Sequence, residues 1–387
     1  MSRLFPRVQA EAFRRRRNLW IAYGSEAAAP LLRGIASVAS RGSTSAPAEW
    51  RRGLIIGHNH IGDVLYRTAS LEQLATALPD CRWSYLTSEG SAGLLRDNPY
   101  VAEVLPWMQR ENSWSLSKDK FAAMRSRKFD VALCSNTLRH LPDLGLAVAL
   151  GIPNRVAFAN KGLTGLITHQ VSPGFPQPYP AYFRAMVASV TGSHPDWELR
   201  PRLFLSDADR AQAAAAWNRL GLSADGPVLA CVLATRQSSG NWPADILLTI
   251  AERARRKLDF EVVICGAASD RHRLEALAKT AGFPARVLAG ETSITGLAAF
   301  FERCSALLTL DSGPRHIGNA VHIPVVFARN LCHSRIEAGA YCDTETDLAP
   351  DVEYLSDDEV ETATRQLDVD RMADVVVNRL RASGSRA

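Results

Sequence analysis

Long hydrophobic runs are absent from this 387-residue sequence. No stretch approaches the roughly 20 consecutive apolar residues that a helix needs to cross a bilayer, so we predict no transmembrane helix. Apolar residues make up 47% of the chain and charged residues 22%, which is typical of a soluble globular protein. The length exceeds that of one ordinary domain, and we therefore expect two, each with its own hydrophobic core.

Closely spaced cysteine pairs are also absent. The seven cysteines are scattered and odd in number, which argues against a disulfide framework and favours a reducing cytoplasm. Cys332, His333 and Cys342 are near one another in the sequence, but their spacing does not match a zinc knuckle. We therefore predict no metal and no cofactor.

The net charge of +5 is unevenly distributed. Residues 1–52 hold ten arginines and three acidic residues, a net charge of +7, so the rest of the chain carries −2. A surface that binds nucleic acid needs many cations on the folded domain itself. The sequence therefore disfavours a nucleic-acid partner.

Residues 1–49 are predicted to be a basic N-terminal extension and linker. Four consecutive arginines at 14–17 precede an apolar stretch, but Glu26, Pro30 and Arg33 interrupt it, which argues against an export signal. One interpretation of residues 1–48 is a partly amphipathic helix that contacts an anionic membrane surface. The other is a solvated, weakly ordered leader that ends in a small-residue linker at 40–48. The sequence leaves both open.

Short apolar strands alternate with helices from residue 53 onward. A strand at 53–56 is followed by a helix over about 63–78, and the pattern restarts with an alanine-rich helix at 207–220. This alternation predicts parallel sheets built from βαβ units. We expect an α/β protein with two Rossmann-like, doubly wound domains at 50–202 and 203–387, the second closed by a C-terminal helix. Such domains place a ligand cleft between them, at the carboxyl ends of the strands.

The strongest local signal is a strand–turn–helix junction near residue 311. The strand ends at Leu310, the turn is Asp311-Ser312-Gly313, and we expect the helix to begin with Pro314. The backbone N–H groups of Ser312 and Gly313 would then lie at a helix N-terminus, which is a site for phosphate.

Arg315 and His316 lie one turn into this helix, where they could reach a diphosphate. The alternative is that Asp311 or Ser312 only caps the helix and that His316 is a packing residue. The junction alone favours neither.

A second junction, at 57–63, also follows a strand and opens a helix. It ends in Asp63, whose carboxylate could take a proton from an acceptor hydroxyl. The alternative is that Asp63 is simply the N-cap of the helix. The candidate acceptor-side residues of this loop are His58, Asn59, His60 and Gly62.

Together these junctions resemble glycosyltransferase family 9, the group that contains the lipopolysaccharide heptosyltransferases. The resemblance covers about residues 53–380 and depends on ordered landmarks rather than on any single residue. The landmarks are Gly62-Asp63-Val64-Leu65, Asn241-Trp242-Pro243, Gly290-Glu291-Thr292-Ser293-Ile294, and Asp311-Ser312-Gly313 followed by His316, Ala320 and Pro324-Val325-Val326.

The resemblance implies a GT-B fold that transfers a heptose-like sugar from a nucleotide diphosphate, such as ADP-heptose, to a glycan or lipid-linked acceptor. It implies inversion at the anomeric carbon without a metal, in the cytoplasm or at the inner face of the membrane. Carried over, Asp63 resembles the catalytic base. The donor-binding positions are Asp311, Ser312, Gly313, His316 and Thr235.

Two positions depart from the family pattern. Gly240 stands where the family often has a lysine, and Arg236 or Arg315 could replace that charge because a guanidinium binds phosphate oxygens. A family glutamate is also missing from Gly266-Ala267-Ala268-Ser269. Two alternatives therefore stand beside the transferase: a sugar-nucleotide epimerase of the same architecture, and a catalytically silent binding protein.

Overall fold

The computed structural model describes residues 24–40, 42–57, 60–108, 116–135, 140–159, 162–172, 174, 176–233 and 241–384. The chain divides into two compact units, residues 1–199 and 200–387. No helix within the described ranges is both long and apolar enough to cross a membrane.

The first unit is a six-stranded parallel sheet with helices on it. Its strands are β1 (Arg52–Ile56), β2 (Arg82–Ser88), β3 (Glu103–Met108), β4 (Val131–Cys134), β5 (Asn154–Phe158) and β6 (His169–Val171). Its helices are α1 (Ala29–Ala39), α2 (Ile61–Thr68), α3 (Leu71–Ala77), α4 (Glu89–Ala92), α5 (Lys118–Ser126), α6 (His140–Ala149) and α7 (Tyr179–Thr191).

The second unit repeats this architecture. Its strands are β7 (Val228–Val232), β8 (Glu261–Gly266), β9 (Arg286–Ala289), β10 (Ala306–Leu310), β11 (Val325–Ala328) and β12 (Glu345–Asp347). Its helices are α8 (Asp207–Arg219), α9 (Ala244–Arg255), α10 (Arg271–Thr280), α11 (Ile294–Glu302), α12 (Gly313–Ala320), α13 (Arg335–Ala338), α14 (Asp357–Arg365) and α15 (Val369–Gly384).

Both sheets have the strand order of a doubly wound fold. The first is β3-β2-β1-β4-β5-β6 and the second is β12-β11-β10-β7-β8-β9, with every pair parallel. The order reverses between β1 and β4 in one unit and between β7 and β10 in the other. Ligands of such sheets bind outside the carboxyl ends of the strands at this reversal. The two junctions identified in the sequence follow β1 and β10, so both lie at a reversal point.

The central strands are buried along their whole length. All five residues of β10 and all four of β4 are buried, as expected for parallel strands covered by helices on both faces. The Trp242 side chain lies in the core of the second unit, and its indole N–H donates to the Arg329 carbonyl at 3.1 Å, just after β11. The Trp-Pro landmark therefore fixes the segment before α9 against the sheet.

Parts of residues 24–40 and 42–49 pack on the first unit, which differs from the interpretation of a solvated, weakly ordered leader and linker. Ala36 of α1 belongs to the core of that unit. The backbone N–H of Ser45 donates to Asn154 Oδ1 at 3.0 Å, and the Glu26 carboxylate accepts from the Thr164 hydroxyl at 2.7 Å. A Cβ added at Gly165 would overlap the carbonyl of α1's first residue, so this close approach requires glycine.

The helix predicted over about 63–78 is instead two helices, α2 and α3. The break falls at Ala69 and Ser70, where the buried Ser70 hydroxyl accepts a hydrogen bond from the Trp197 indole N–H at 3.0 Å. The Thr68 hydroxyl also donates to the Leu65 carbonyl. Such side-chain hydrogen bonds compete with a continuous helix.

Candidate functional site

The β10–α12 junction of the second unit leaves its helix N-terminus without a side-chain cap. The N-cap residue is Ser312, whose backbone is extended and whose hydroxyl donates backward to the Leu310 carbonyl at 3.3 Å. The helix begins at Gly313, with Pro314 second rather than first. Ser312 thus occupies the N-cap position but its side chain does not cap the helix, and the amide groups of the first turn suit an anion.

Arg315 does not face outward as a phosphate ligand. Its side chain is 1% exposed and all five of its N–H donors are occupied within the second unit. They bond to Glu345 Oε1 (2.6 Å) and Oε2 (3.2 Å), Asp311 Oδ1 (2.8 Å) and the carbonyls of Ala338 (2.7 Å) and Gly339 (2.6 Å). The prediction that Arg315 could replace the family lysine is wrong for this structure, because no donor remains for phosphate.

The charge of Arg315 is compensated where it lies. Burial by itself lowers the pKa of Arg315, but the Glu345 and Asp311 carboxylates outweigh burial and raise it well above its usual range. Its guanidinium carbon also lies 3.5 Å from the centre of the Phe327 ring, a cation–π contact. Asp311 is thus held by the ion pair and is not a helix cap.

Glu345 is the centre of this buried network, and sequence reasoning missed it. Besides Arg315, its carboxylate accepts from Asn319 Nδ2 at 2.7 Å and from the backbone N–H groups of Tyr341 at 2.7 Å and Cys342 at 3.3 Å. Glu345 begins a short strand at the sheet edge, outside every motif. No local pattern marks it, since its partners are contributed by other segments.

His316 is buried and paired with Tyr341. Its Nδ1 lies 2.6 Å from the Tyr341 hydroxyl and the two rings stack with centroids 5.7 Å apart. Burial, together with the neighbouring Arg315 charge, lowers the pKa of His316 well below its usual value. The ring is therefore neutral at pH 7, so any contact it makes with phosphate is a hydrogen bond rather than an ion pair. Thr235 and Arg236, the other predicted donor residues, lie outside the described residues, as does Gly240.

The β1–α2 junction of the first unit begins with a close approach. A Cβ added at Gly57 would overlap the ring of Tyr85, so only glycine fits there. His58 and Asn59 lie outside the described residues. His60 is the N-cap of α2, and Gly62 and Asp63 belong to its first turn. The interpretation of Asp63 as the N-cap is therefore wrong; its partly exposed carboxylate lies where the helix N-terminus stabilises negative charge.

A buried arginine underlies this junction, and it was also missed from the sequence. Arg67 donates to the Asp63 carbonyl, to Ser135 Oγ at 2.6 Å and to the Ser135 carbonyl at 3.3 Å. Ser135 follows β4, and its hydroxyl donates in turn to the carbonyl of Ile56 at the end of β1. Arg67 thus ties α2 to both strands of the reversal point. Burial raises the pKa of the adjacent Tyr85 to about 12.

No group of three or more His, Cys, Asp or Glu side chains is placed to hold a metal ion within the described ranges. Cys332 Sγ instead donates to the Leu355 carbonyl at 2.9 Å.

Comparison with known proteins gives a consistent picture. Residues 148–327 match the model of glycosyltransferase family 9 (heptosyltransferase), a span that includes the β10–α12 junction but not the β1–α2 junction. Lipopolysaccharide heptosyltransferase 2 of Escherichia coli is 23% identical over 290 residues, covering 70% of this chain and 81% of that protein. Lipopolysaccharide heptosyltransferase 1 of Pseudomonas aeruginosa is 22% identical over 284 residues, covering 71% of this chain and 77% of that protein.

Solved structures share the fold. The family 9 glycosyltransferase of Veillonella parvula superposes with a TM-score of 0.71 at 18% identity, covering 89% of this chain and all of that one. The ADP-heptose lipopolysaccharide heptosyltransferase II of E. coli gives 0.65 at 19% identity, covering 87% and 99%. The expected GT-B class of α/β fold, with two Rossmann-like sheets, is confirmed. The chain is thus a glycosyltransferase that is similar to the family 9 heptosyltransferases.

Proposed function

We propose that this enzyme transfers a heptose-like sugar from ADP-heptose to a glycan or lipid-linked acceptor, with inversion and without a metal. The observation that carries the proposal is the uncapped N-terminus of α12 at the strand reversal of the second unit. The names of the relatives support the choice of sugar and nucleotide, since they are lipopolysaccharide heptosyltransferases.

In the proposed reaction, Asp63 accepts the proton of the acceptor hydroxyl as its oxygen attacks the anomeric carbon. The bond between that carbon and the phosphate oxygen breaks on the opposite face, and ADP leaves with the electron pair. General-base assistance of this kind contributes ~10²–10⁴-fold. The backbone N–H groups at Ser312 and Gly313 stabilise the charge that develops on the diphosphate.

The neutral His316 supplies a hydrogen bond to the donor in this proposal, and Thr235 a hydroxyl. Arg315 and Asp311 hold α12 in place instead of touching phosphate. With Arg315 occupied, Arg236 is the cation that we propose in place of the family lysine at Gly240. The acceptor is assigned to the loop that contains His58, Asn59, His60 and Gly62. We place the enzyme in the cytoplasm, in keeping with its seven free thiols.

A turnover assay tests this proposal. Purified enzyme, ADP-heptose and a lipopolysaccharide-core acceptor should release ADP only when all three are present, in buffer containing a chelator. The product should have the anomeric configuration opposite to that of the donor. Isomerisation of the donor sugar without net release of ADP would instead support an epimerase. Donor binding without any turnover would support the silent binding protein, for which Gly240 is the specific motivation.

A further inference from the structure

The outward face of α1 carries an apolar stripe. Leu31, Ile35 and Val38 are 68%, 53% and 90% exposed, although they are large hydrophobic side chains. Their spacing of four and three residues places them within about 60° of arc on the helix. A Cβ added at Gly34, beside them, would meet nothing within 4 Å. The stripe therefore lies on one open side of the helix.

The opposite face of the same helix is fixed to the first unit. Ala29 and Ala36 are buried, and Leu32 packs against the core. Ser40, which follows the helix, accepts a hydrogen bond from Arg155 Nη1 at 3.0 Å. The stripe is consequently presented by an anchored helix, and turning it inward would expose the packed face.

The charge of helix α1 and of the sequence before it is net positive. Helix α1 contains no acidic residue, and its one charged residue, Arg33, is exposed. The sequence that precedes the described residues, 1–23, holds six arginines and one acidic residue. A basic segment running into a helix with an exposed apolar face is the combination that binds an anionic bilayer surface, where apolar side chains enter the headgroup region and cations meet phosphates.

We propose that the outward face of α1, formed by Leu31, Ile35 and Val38, docks on an anionic lipid surface, with the arginines of residues 1–23 supplying the electrostatic attraction. A second copy of the chain fits this face less well, because association would bring two segments of charge +7 together. Nucleic acid would satisfy the arginines but not the apolar stripe.

The test compares two pairs of substitutions of the same residue types in the full chain. Ile35→Gln/Val38→Gln alters the stripe, and Ile336→Gln/Val352→Gln alters two exposed hydrophobic residues of the second unit. Binding is measured by co-sedimentation with vesicles of phosphatidylglycerol and phosphatidylcholine, and with phosphatidylcholine alone. Because both pairs are exposed, all proteins should melt at nearly the same temperature.

We expect the wild type to bind the anionic vesicles, to bind neutral vesicles much more weakly, and to be released by salt. Ile35→Gln/Val38→Gln should bind at least about tenfold more weakly, since two apolar side chains that would enter the headgroup region of the bilayer are lost. The Ile336→Gln/Val352→Gln protein should bind like the wild type. The single variant Val38→Gln should give a smaller loss in the same direction.

Three results would overturn the proposal. The wild type could fail to bind anionic vesicles. The Ile35→Gln/Val38→Gln protein could bind as tightly as the wild type, which would mean that the arginines alone bind the vesicles and that the stripe does not contribute. Light scattering could show a wild-type dimer that this variant dissociates, which would make the face a contact between copies.

Discussion

Both strand–helix junctions are held by a buried arginine, but the two arginines bond to different kinds of group. Beneath the β1–α2 junction a buried cation, Arg67, holds the backbone of Asp63 and the end of β4. Beneath the β10–α12 junction two carboxylates, Asp311 and Glu345, hold the cation Arg315. In both junctions the arginine supports the local structure. The groups that remain at the strand end for a ligand differ between the two junctions.

That difference fits the two halves of a transfer reaction. The first junction presents a carboxylate, which can accept a proton although the helix N-terminus favours its charged form. The second presents backbone N–H groups with a neutral histidine behind them, which suits a diphosphate leaving group. Arg315 bonds only to protein groups at this junction, so its charge supports the local structure.

Removing the carboxylate of the first junction should have the largest effect. If Asp63 is the base, Asp63→Asn should lower turnover by ~10²–10⁴-fold because proton transfer is lost. The affinity for ADP, measured by calorimetry, should stay nearly unchanged. Turnover equal to that of the wild type would show that Asp63 is not the catalytic base and only stabilises the start of the helix.

Breaking the ion network of the second junction should mainly affect stability. Glu345→Ala leaves Arg315 buried without its principal partner, which should cost about 3–5 kcal/mol in the free energy of unfolding. Urea denaturation measures this cost. The exposed pair Glu361–Arg365 offers a control, and Glu361→Ala should leave stability nearly unchanged. Similar urea midpoints for Glu345→Ala and Glu361→Ala would contradict the role of Glu345 as the main partner of the buried Arg315.

His316 should matter for donor binding more than for the chemical step. His316→Ala should weaken ADP binding roughly tenfold, the value of one hydrogen bond to a charged group. Turnover at saturating donor should fall less than in Asp63→Asn. Tyr341→Phe, which keeps the stacked ring and removes the hydroxyl, should show a smaller loss of affinity. Unchanged ADP affinity in His316→Ala would assign the ring to packing alone.

The low pKa of His316 also predicts a pH dependence of stability. Its pKa is lowered in the folded protein, whereas in the unfolded chain it is ~6.5. The unfolded state therefore binds a proton below that pH while the folded state does not, so stability falls as the pH falls. Between pH 7 and 5 the wild type should lose up to about 2 kcal/mol relative to His316→Gln. A difference between the two proteins that is constant with pH would contradict a buried neutral ring.

The parts of this molecule that sequence predicts are those set by local pattern. The apolar run at 306–310 coincides with β10, and the turn residues located both junctions. The strands β5, β6, β9 and β12 were missed because they are short or begin with polar residues, as β5 does at Asn154 and β12 at Glu345.

The site was predicted only in part because its supports are distant in sequence. Arg67 and Ser135 are 68 residues apart, and Arg315 and Glu345 are 30 apart. A motif gives the position of Arg315 on α12 but not the direction of its side chain, which is decided by the carboxylate supplied by β12. Which group a buried side chain bonds to therefore depends on how the whole unit packs, and the local sequence does not reveal it.

Thermal unfolding in the presence of ADP, GDP, UDP and dTDP tests the central claim most directly. A ligand at about 100 times its dissociation constant adds ~2.7 kcal/mol to stability, which is visible as a higher melting temperature. The proposed donor site predicts a clear shift with ADP and much smaller shifts with the other three nucleotides. The absence of a shift with any of the four would contradict a nucleotide-diphosphate site in this protein.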